Sequence, residues 1–234
     1  LENGDEFGCH GYEGISISEN YWVIEGCKEY LMDSTNASRW GKTPISFGIP
    51  GPTIDQLTAS QLISSGFMIV GDVLDGAPEG MISAHRNGGS LEKGVADTAL
   101  FESVDEDSLL SIYWRARIDD LRVREDKDAI SWLEKQDLWY TTWGEWNMHK
   151  LSSKNTSLSI IGSEIHSFSE NSDGAWSVPG TSLIQFDTDV SGVFDSNGDP
   201  YPVIPVESKK LQIGWRNVTG GIFLTQHPGS NIIV

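Results

Sequence analysis

The chain has 234 residues, with 34 acidic against 16 basic side chains and a formal net charge of −18. A surface this negative repels phosphate backbones, so we expect no direct contact with nucleic acid, and basic or cationic partners are favoured. The 38% hydrophobic content supports a buried core, but no apolar run reaches the roughly 18 residues of a membrane helix. Nine Trp and 25 Gly indicate a β-rich chain with many turns, which at this length predicts a single domain over residues 1–234.

The first 30 residues contain both cysteines of the chain. Cys9 and Cys27 are close enough to form a disulfide that staples an N-terminal segment, residues 1–30, although two unrelated thiols would give the same sequence. The chain begins with Leu1 rather than Met, which favours a processed or an incomplete start, and we expect a virion or extracellular location. Asn-X-Ser/Thr triplets, which are weak glycosylation signals, occur at Asn36, Asn155 and Asn217.

Short apolar or alternating runs between turn signals predict strands along most of the chain. Residues 110–118 alternate best, and this pattern places Ile112, Trp114 and Ile118 on a buried face with Arg115 on the other. Asn197-Gly198 predicts a hairpin turn, because both central residues of a type I′ turn need positive φ. The predicted strands are 15–18 with 21–24, 67–70, 110–118, 182–190, 211–215 and 222–224.

Helix is scarce in this pattern. Thr53 can cap a short helix that continues to Leu62, with Asp55 in its first turn. The second candidate covers 126–136, where Ile130 and Leu133 are apolar and Glu134 and Lys135 are polar. Short strands that recur with turns between them predict an all-β fold, a β-sandwich or jelly roll with one or two short helices.

One loop has part of a calcium-binding pattern. Asp195, Asn197 and Asp199 place oxygen side chains at positions 1, 3 and 5 of such a loop, but Pro200 stands where Gly is required and Val206 where Glu is required. The hairpin explains the same residues without a metal. We therefore expect no cofactor, with Ca²⁺ at this loop as the weaker alternative.

Catalytic signatures are sparse. Glu164 and His166 lie two residues apart, so on a strand they share a face, as the acid and base of some β-sandwich polysaccharide enzymes do. No nucleophile elbow, P-loop or dinucleotide-binding glycine pattern accompanies them. The sequence therefore favours a protein that is not an enzyme.

A cluster of aromatic residues lies in the second half of the chain and consists of Trp139, Tyr140, Trp143 and Trp146, with Trp132 nearby. On a strand this spacing would put aromatic side chains on both faces. A core strand, a contact between subunits and a platform that stacks sugar rings would each explain the cluster. Large exposed apolar patches are rare on monomers, so we expect part of the cluster to lie at a subunit contact.

Two segments resemble single jelly-roll coat proteins of small icosahedral RNA viruses. Residues 66–78 (GFMIVGDVLDGAP) are similar to a strand that enters an Asp/Pro loop in these coats, and residues 183–192 (LIQFDTDVSG) are similar to their long late strand. The resemblance covers about a tenth of the chain. It implies a coat subunit, but the basic N-terminal arm that such coats carry is missing from this sequence.

These observations support three hypotheses about function. The first is a non-enzymatic structural subunit that assembles with copies of itself in a virion shell or an extracellular polymer. The second is a glycan-binding β-sandwich module that uses the aromatic cluster. The third is a polysaccharide-cleaving β-sandwich enzyme that uses Glu164 and His166.

Overall fold

The computed structural model describes residues 4–51, 53–71, 77–84, 109–112, 131–136, 138–170, 175–187 and 190–234. Within it the chain forms two compact units. The parallel-sheet unit comprises Phe7–Ser34 and Pro44–Leu138, and the antiparallel unit comprises Leu1–Glu6, Thr35–Thr43 and Trp139–Val234. The chain crosses between the units four times, after Glu6, Ser34, Thr43 and Leu138.

The parallel-sheet unit contains four short strands whose spatial order follows the chain, β1-β2-β3-β4, with every pair parallel. Parallel neighbours need a crossover connection, and helices α1 and α2 lie in the connections that follow β1 and β2. The elements are β1 Cys9–His10, α1 Trp22–Ser34, β2 Ser46–Gly48, α2 Gln56–Ser64, β3 Ile69–Gly71 and β4 Ile82–Ala84.

The core of this unit lies between the sheet and its helices. Phe47 of β2 and Phe67 before β3 meet edge to face, with ring centroids 5.3 Å apart. Val23 and Ile24 of α1 are buried in the same cluster. Cys9 and Cys27 form a disulfide with Cα atoms 5.9 Å apart, which ties β1 to α1 within the first 30 residues.

The described residues of the antiparallel unit form two sheets and one helix. One sheet has three strands in the order β7-β10-β9, the other four in the order β5-β6-β11-β8, and all pairs are antiparallel. The helix, α3, precedes the strands. The elements are α3 Trp143–Lys154, β5 Thr156–Ile161, β6 Glu164–Ser169, β7 Gly180–Gln185, β8 Phe194–Asp195, β9 Gly214–Val218, β10 Gly221–Gln226 and β11 Asn231–Ile233.

A shared core joins these two sheets. Ile222 and Leu224 of β10 pack in one buried cluster with Ile232 of β11 in the other sheet. The buried Ser167 hydroxyl of β6 donates to Gln226 Oε1 of β10 at 2.7 Å, so these two polar side chains are paired across the sheets.

A tryptophan wedge supports α3 in the antiparallel unit. Trp176 is 1% exposed, and its Nε1 donates to the Thr43 carbonyl at 2.7 Å. Its ring leaves no room for side chains at Gly41 or Gly144, since a Cβ at either would lie within 2.3 Å of a ring carbon. The first turn of α3 can therefore approach only because Gly144 has no side chain.

The first turn of α3 also carries a buried carboxylate. Glu145 is 2% exposed and accepts from the Arg39 guanidinium at 2.9 Å and from Trp40 Nε1. Thr142 caps α3 by accepting from the Glu145 backbone N–H at 3.3 Å. Without Arg39, the buried Glu145 carboxylate would be a charge without a partner. The Arg39–Glu145 pair therefore ties the residues that precede Thr43 to α3.

The strands predicted at 67–70, 182–190, 211–215 and 222–224 overlap β3, β7, β9 and β10, and Asn197-Gly198 forms a turn with φ +85° at the glycine. The chain is sheet-rich, as predicted. The strand prediction for 15–18 and 21–24 was wrong, because 15–18 lies at a turn and Trp22 begins α1. Most of 110–118, including Trp114, and of 126–136 lies outside the described residues.

Helix is more abundant than one or two short segments, since α1, α2 and α3 have 13, 9 and 12 residues. The N-cap of α2 is Asp55, not Thr53, because the Asp55 carboxylate accepts from the Thr58 backbone N–H at 2.8 Å. Among the residues described, no helix combines the length and apolar character needed to cross a membrane.

Candidate ligand-binding cleft

The outer face of the three-stranded sheet forms the floor of a cleft. Side chains alternate along β10, so Ile222 and Leu224 enter the core while Phe223 and Thr225 take the opposite face. Thr225 is registered with Thr181 of β7, and their hydroxyl oxygens are 2.8 Å apart. This pairing creates a small polar patch on the floor.

Phe223 and Arg216 form the next row of the same face. They are directly opposite across β10 and β9, and the guanidinium carbon of Arg216 lies 5.2 Å from the centroid of the Phe223 ring. A cation over an aromatic face is attracted by the ring quadrupole, so this contact orients the planar guanidinium.

Helix α3 forms one wall, held close to the sheet by a glycine. A Cβ at Gly180 would lie 2.6 Å from backbone atoms of Ser152 and Ser153, so the helix lies directly against the start of β7. The Thr181 backbone N–H donates to Ser153 Oγ at 2.9 Å, which fixes the helix along the strand. This contact brings His149 of α3 over the sheet.

We call the resulting depression the Trp139 cleft. Its volume is about 210 Å³, small beside the roughly 300–1,000 Å³ of pockets for drug-sized ligands. The loop between β8 and β9 supplies the remaining wall. The lining residues are Trp139, His149, Thr181, Ile204, Ser208, Lys210, Leu211, Gln212, Arg216, Phe223 and Thr225.

Trp139 and His149 form the aromatic wall. Their rings meet edge to face with centroids 4.8 Å apart. Burial lowers the pKa of His149, against the opposing effects of its hydrogen bond to Pro179 and the charge of Glu145. The neutral ring donates from Nδ1 to the Pro179 carbonyl at 2.7 Å, which leaves Nε2 as an acceptor.

The indole N–H of Trp139 is buried and has no hydrogen-bond partner within the described part of the chain. A buried donor left unpaired costs about 1–3 kcal/mol, so native structures rarely keep one without a reason. An acceptor supplied by a ligand that shifts the ring slightly would remove this cost.

The other members of the predicted aromatic cluster are dispersed. The interpretation as one strand was wrong, because Trp143 and Trp146 lie on α3. Lys150 Nζ is 4.6 Å from the Trp146 ring centroid, and Tyr140 is 41% exposed. Trp132 belongs to the parallel-sheet unit, so it is not part of the cleft.

The weaker candidate sites have local explanations. Asp195 Oδ1 accepts from the backbone N–H groups of Asn197 and Asp199, at 2.8 and 3.0 Å, and these bonds lower the Asp195 pKa. The carboxylate thus closes the turn. No group of three or more His, Cys, Asp or Glu side chains suited to a metal converges among the residues described. His166 Nε2 and Glu164 Oε2 are 3.1 Å apart, and neither residue lines the Trp139 cleft.

Each asparagine of the three glycosylation triplets is exposed, and the three are Asn36, Asn155 and Asn217. Asn155 is also the C-cap of α3, where its backbone N–H donates to Leu151 and Ser152 carbonyls. The geometry therefore leaves these side chains accessible.

Sequence reasoning missed a second aromatic surface, in the parallel-sheet unit. Tyr12 and Trp22 are 57% and 59% exposed, with ring centroids 6.4 Å apart. They follow β1 and begin α1, so they lie towards the carboxyl ends of the parallel strands, where sheets of this type commonly bind ligands. The helical spacing of Val23, Cys27 and Leu31 was the available signal for α1.

Comparison with protein-family models, with curated proteins and with solved structures finds no match to this chain.

Proposed function

We propose that this chain is a carbohydrate-binding protein in which the antiparallel unit is a β-sandwich that holds a sugar ring in the Trp139 cleft. The observation that carries the proposal is the meeting of an aromatic wall, Trp139 with His149, and a hydroxyl pair, Thr181 with Thr225, in one small cleft. The two packed antiparallel sheets with a shared core support the sandwich assignment.

The chemistry of a pyranose explains why these groups suit it. One face of the ring presents C–H groups that pack against an aromatic side chain, while its rim carries hydroxyls that both donate and accept. Small clefts with mostly apolar walls and a few convergent polar groups are the usual form of ligand sites. Ser208 and Gln212 at the edge add further hydrogen-bonding groups.

Glycan-array screening followed by calorimetry on the intact chain tests the proposal. Trp139→Ala should reduce affinity for the best glycan at least about tenfold, because an aromatic anchor commonly contributes about 1.4 kcal/mol or more of binding free energy. Trp139→Phe should retain part of the affinity. Tyr30→Ala is the matched control, since Tyr30 is 71% exposed and lies on α1 of the other unit. Equal binding by Trp139→Ala and wild type would refute the assignment of the cleft.

Self-assembly into a virion shell or extracellular polymer is a second proposal, favoured by the edge strand β5. Leu158 and Ile160 are 48% and 77% exposed, and β5 stands at one end of its sheet, hydrogen-bonded to β6. Long apolar edge strands pair readily with another chain. Antiparallel pairing of two β5 strands would satisfy the edge backbone groups of both copies and place these side chains next to one another across the junction.

Sedimentation over a range of protein concentrations tests this second proposal. Ile160→Lys should shift the distribution towards monomer, whereas Val206→Lys, at an exposed position outside β5, is the control for the added charge. A wild-type chain that stays monomeric at millimolar concentration would contradict assembly through β5.

A further inference from the structure

We infer that the Trp139 cleft selects a sugar that carries an anionic group, a carboxylate or a sulfate, and that Arg216 binds this group. The inference deepens the proposed function and depends on it. It starts from a contrast in charge: although the chain has 34 acidic residues, no acidic residue among those described lines the cleft, while Arg216 and Lys210 do.

Arg216 is placed to receive an anion. Its guanidinium lies against the Phe223 ring, and no carboxylate pairs with it in the described part of the chain. Arg39, by comparison, has its guanidinium committed to the buried Glu145 at 2.9 Å. Arg216 therefore carries a positive charge that an internal partner does not neutralise.

The geometry of a guanidinium suits a carboxylate or sulfate better than a hydroxyl. Its planar fork donates two parallel hydrogen bonds to two oxygens of one anionic group. The contact with Phe223 restricts the plane of the fork, which reduces the entropy lost when a ligand binds. A neutral sugar would leave these donors with water or with single, weaker hydroxyl contacts.

The net charge of the whole chain opposes the binding of anions, so selectivity for an acidic sugar must come from the charges that line the cleft. A net charge of −18 repels anions in general, so an acidic sugar binds only where the local potential is positive. His149 contributes no charge near neutral pH because burial keeps its ring neutral, so the cations in the cleft are Arg216 and Lys210. The attraction should weaken as salt rises.

Calorimetry with matched oligosaccharides tests the inference. Oligouronates are compared with their carboxyl-reduced, neutral counterparts, and sulfated oligosaccharides with their desulfated ones. We expect the anionic member of at least one pair to bind about tenfold or more tighter, the effect of charge-assisted hydrogen bonds. The pair that shows the difference identifies carboxylate or sulfate as the group recognised.

Variants locate the effect at Arg216. Arg216→Gln should remove most of the preference for the anionic sugar, and Arg216→Lys should keep part of it because the charge remains without the fork. Lys42→Gln is the control, since it changes net charge equally at an exposed position that does not line the cleft. Thermal unfolding of each variant checks that the fold is intact. The comparison of anionic with neutral oligosaccharides uses the wild-type chain, so it does not depend on the folding of any variant.

The outcomes separate the inference from the proposed function. Equal affinity for anionic and neutral members of every pair, with binding still lost in Trp139→Ala, overturns the inference and leaves carbohydrate binding standing. Binding of free sulfate or phosphate as tightly as the anionic sugar overturns the role of the sugar ring. Absence of binding to any oligosaccharide overturns both.

Discussion

Replacing Gly144 by Ala should destabilise this protein, although alanine is the better helix former. A Cβ at this position would lie 2.3 Å from Cζ3 and 2.5 Å from Cη2 of Trp176. Carbon atoms pack at about 3.5–4.0 Å, so the ring or the helix must move by roughly 1 Å. Trp176 cannot easily yield, because it is 1% exposed, bonded to Thr43, and bounded on another side by Gly41.

Overpacking of this kind costs about 1–3 kcal/mol, and the gain in helix propensity returns at most about 1 kcal/mol. We therefore expect a net loss of about 1–2 kcal/mol in the free energy of unfolding. Gly26 is the matched control: it is exposed on α1, and a Cβ there meets nothing within 4 Å. Gly26→Ala should stabilise by about 0.5–1 kcal/mol.

Urea unfolding followed by tryptophan fluorescence and circular dichroism measures both effects from the midpoint and slope. Opposite shifts of the two midpoints would support the wedge between Trp176 and α3. A Gly144→Ala protein with a midpoint at or above that of wild type would refute it. Since α3 carries His149, Gly144→Ala should also weaken glycan binding if the helix moves.

Three further predictions follow from the described contacts. Replacing Cys9 and Cys27 together by Ser should cost about 3 kcal/mol, because the disulfide closes a loop with a sequence separation of 18; a loss below about 0.5 kcal/mol would contradict this. Burial lowers the pKa of His149 below its ordinary 6.5, so its contribution to stability should be complete above that pH and lost as pH falls below it. His149→Gln should therefore make the unfolding free energy fall less steeply between about pH 7 and pH 5. Burial also lowers the pKa of His227, so this residue should account for part of the pH dependence that remains. An unchanged pH dependence in His149→Gln would contradict the assignment. The single-domain prediction for 1–234 requires one cooperative unfolding transition, which we expect because the chain crosses four times between its units. Two separate transitions, measured by fluorescence and calorimetry, would contradict it.

Several elements could be predicted because their signals are local. β7 overlaps a run predicted as a strand, β10 contains the apolar run 222–224, and the Asn197-Gly198 turn needs positive φ at its glycine. The α2 segment was found but its cap was misplaced by two residues, from Thr53 to Asp55, because both residues are good caps. Local chemistry identifies an element more reliably than its boundary.

Two helices were missed although signals for them exist. The run Tyr21–Ile24 is rich in β-formers and was assigned to a strand, but Val23, Cys27 and Leu31 recur at four-residue spacing and pack towards the core. Thr142 and Glu145 have the spacing of a capping box, which marks the start of α3. In both segments the abundance of aromatic and β-branched residues favoured a strand prediction over the helical periodicity. Burial of one face in the folded chain stabilises the helices that the structure shows.

The sequence by itself determined the net negative charge, the sheet-rich character, the candidate disulfide pair and the aromatic cluster that contains Trp139. It could not determine the parallel pairing of β1 to β4, because strands of two or three residues have no measurable period and their partners are distant in the chain. The Trp139 cleft also depends on contacts between residues that are distant in the chain. Trp139 and Phe223 are brought together by α3, by the loop before β9 and by the register of three strands. A hydrogen-bonded register and a close helix–strand contact at Gly180 are properties of the folded chain, which is why only the tertiary structure placed Arg216 and the aromatic wall around one cleft.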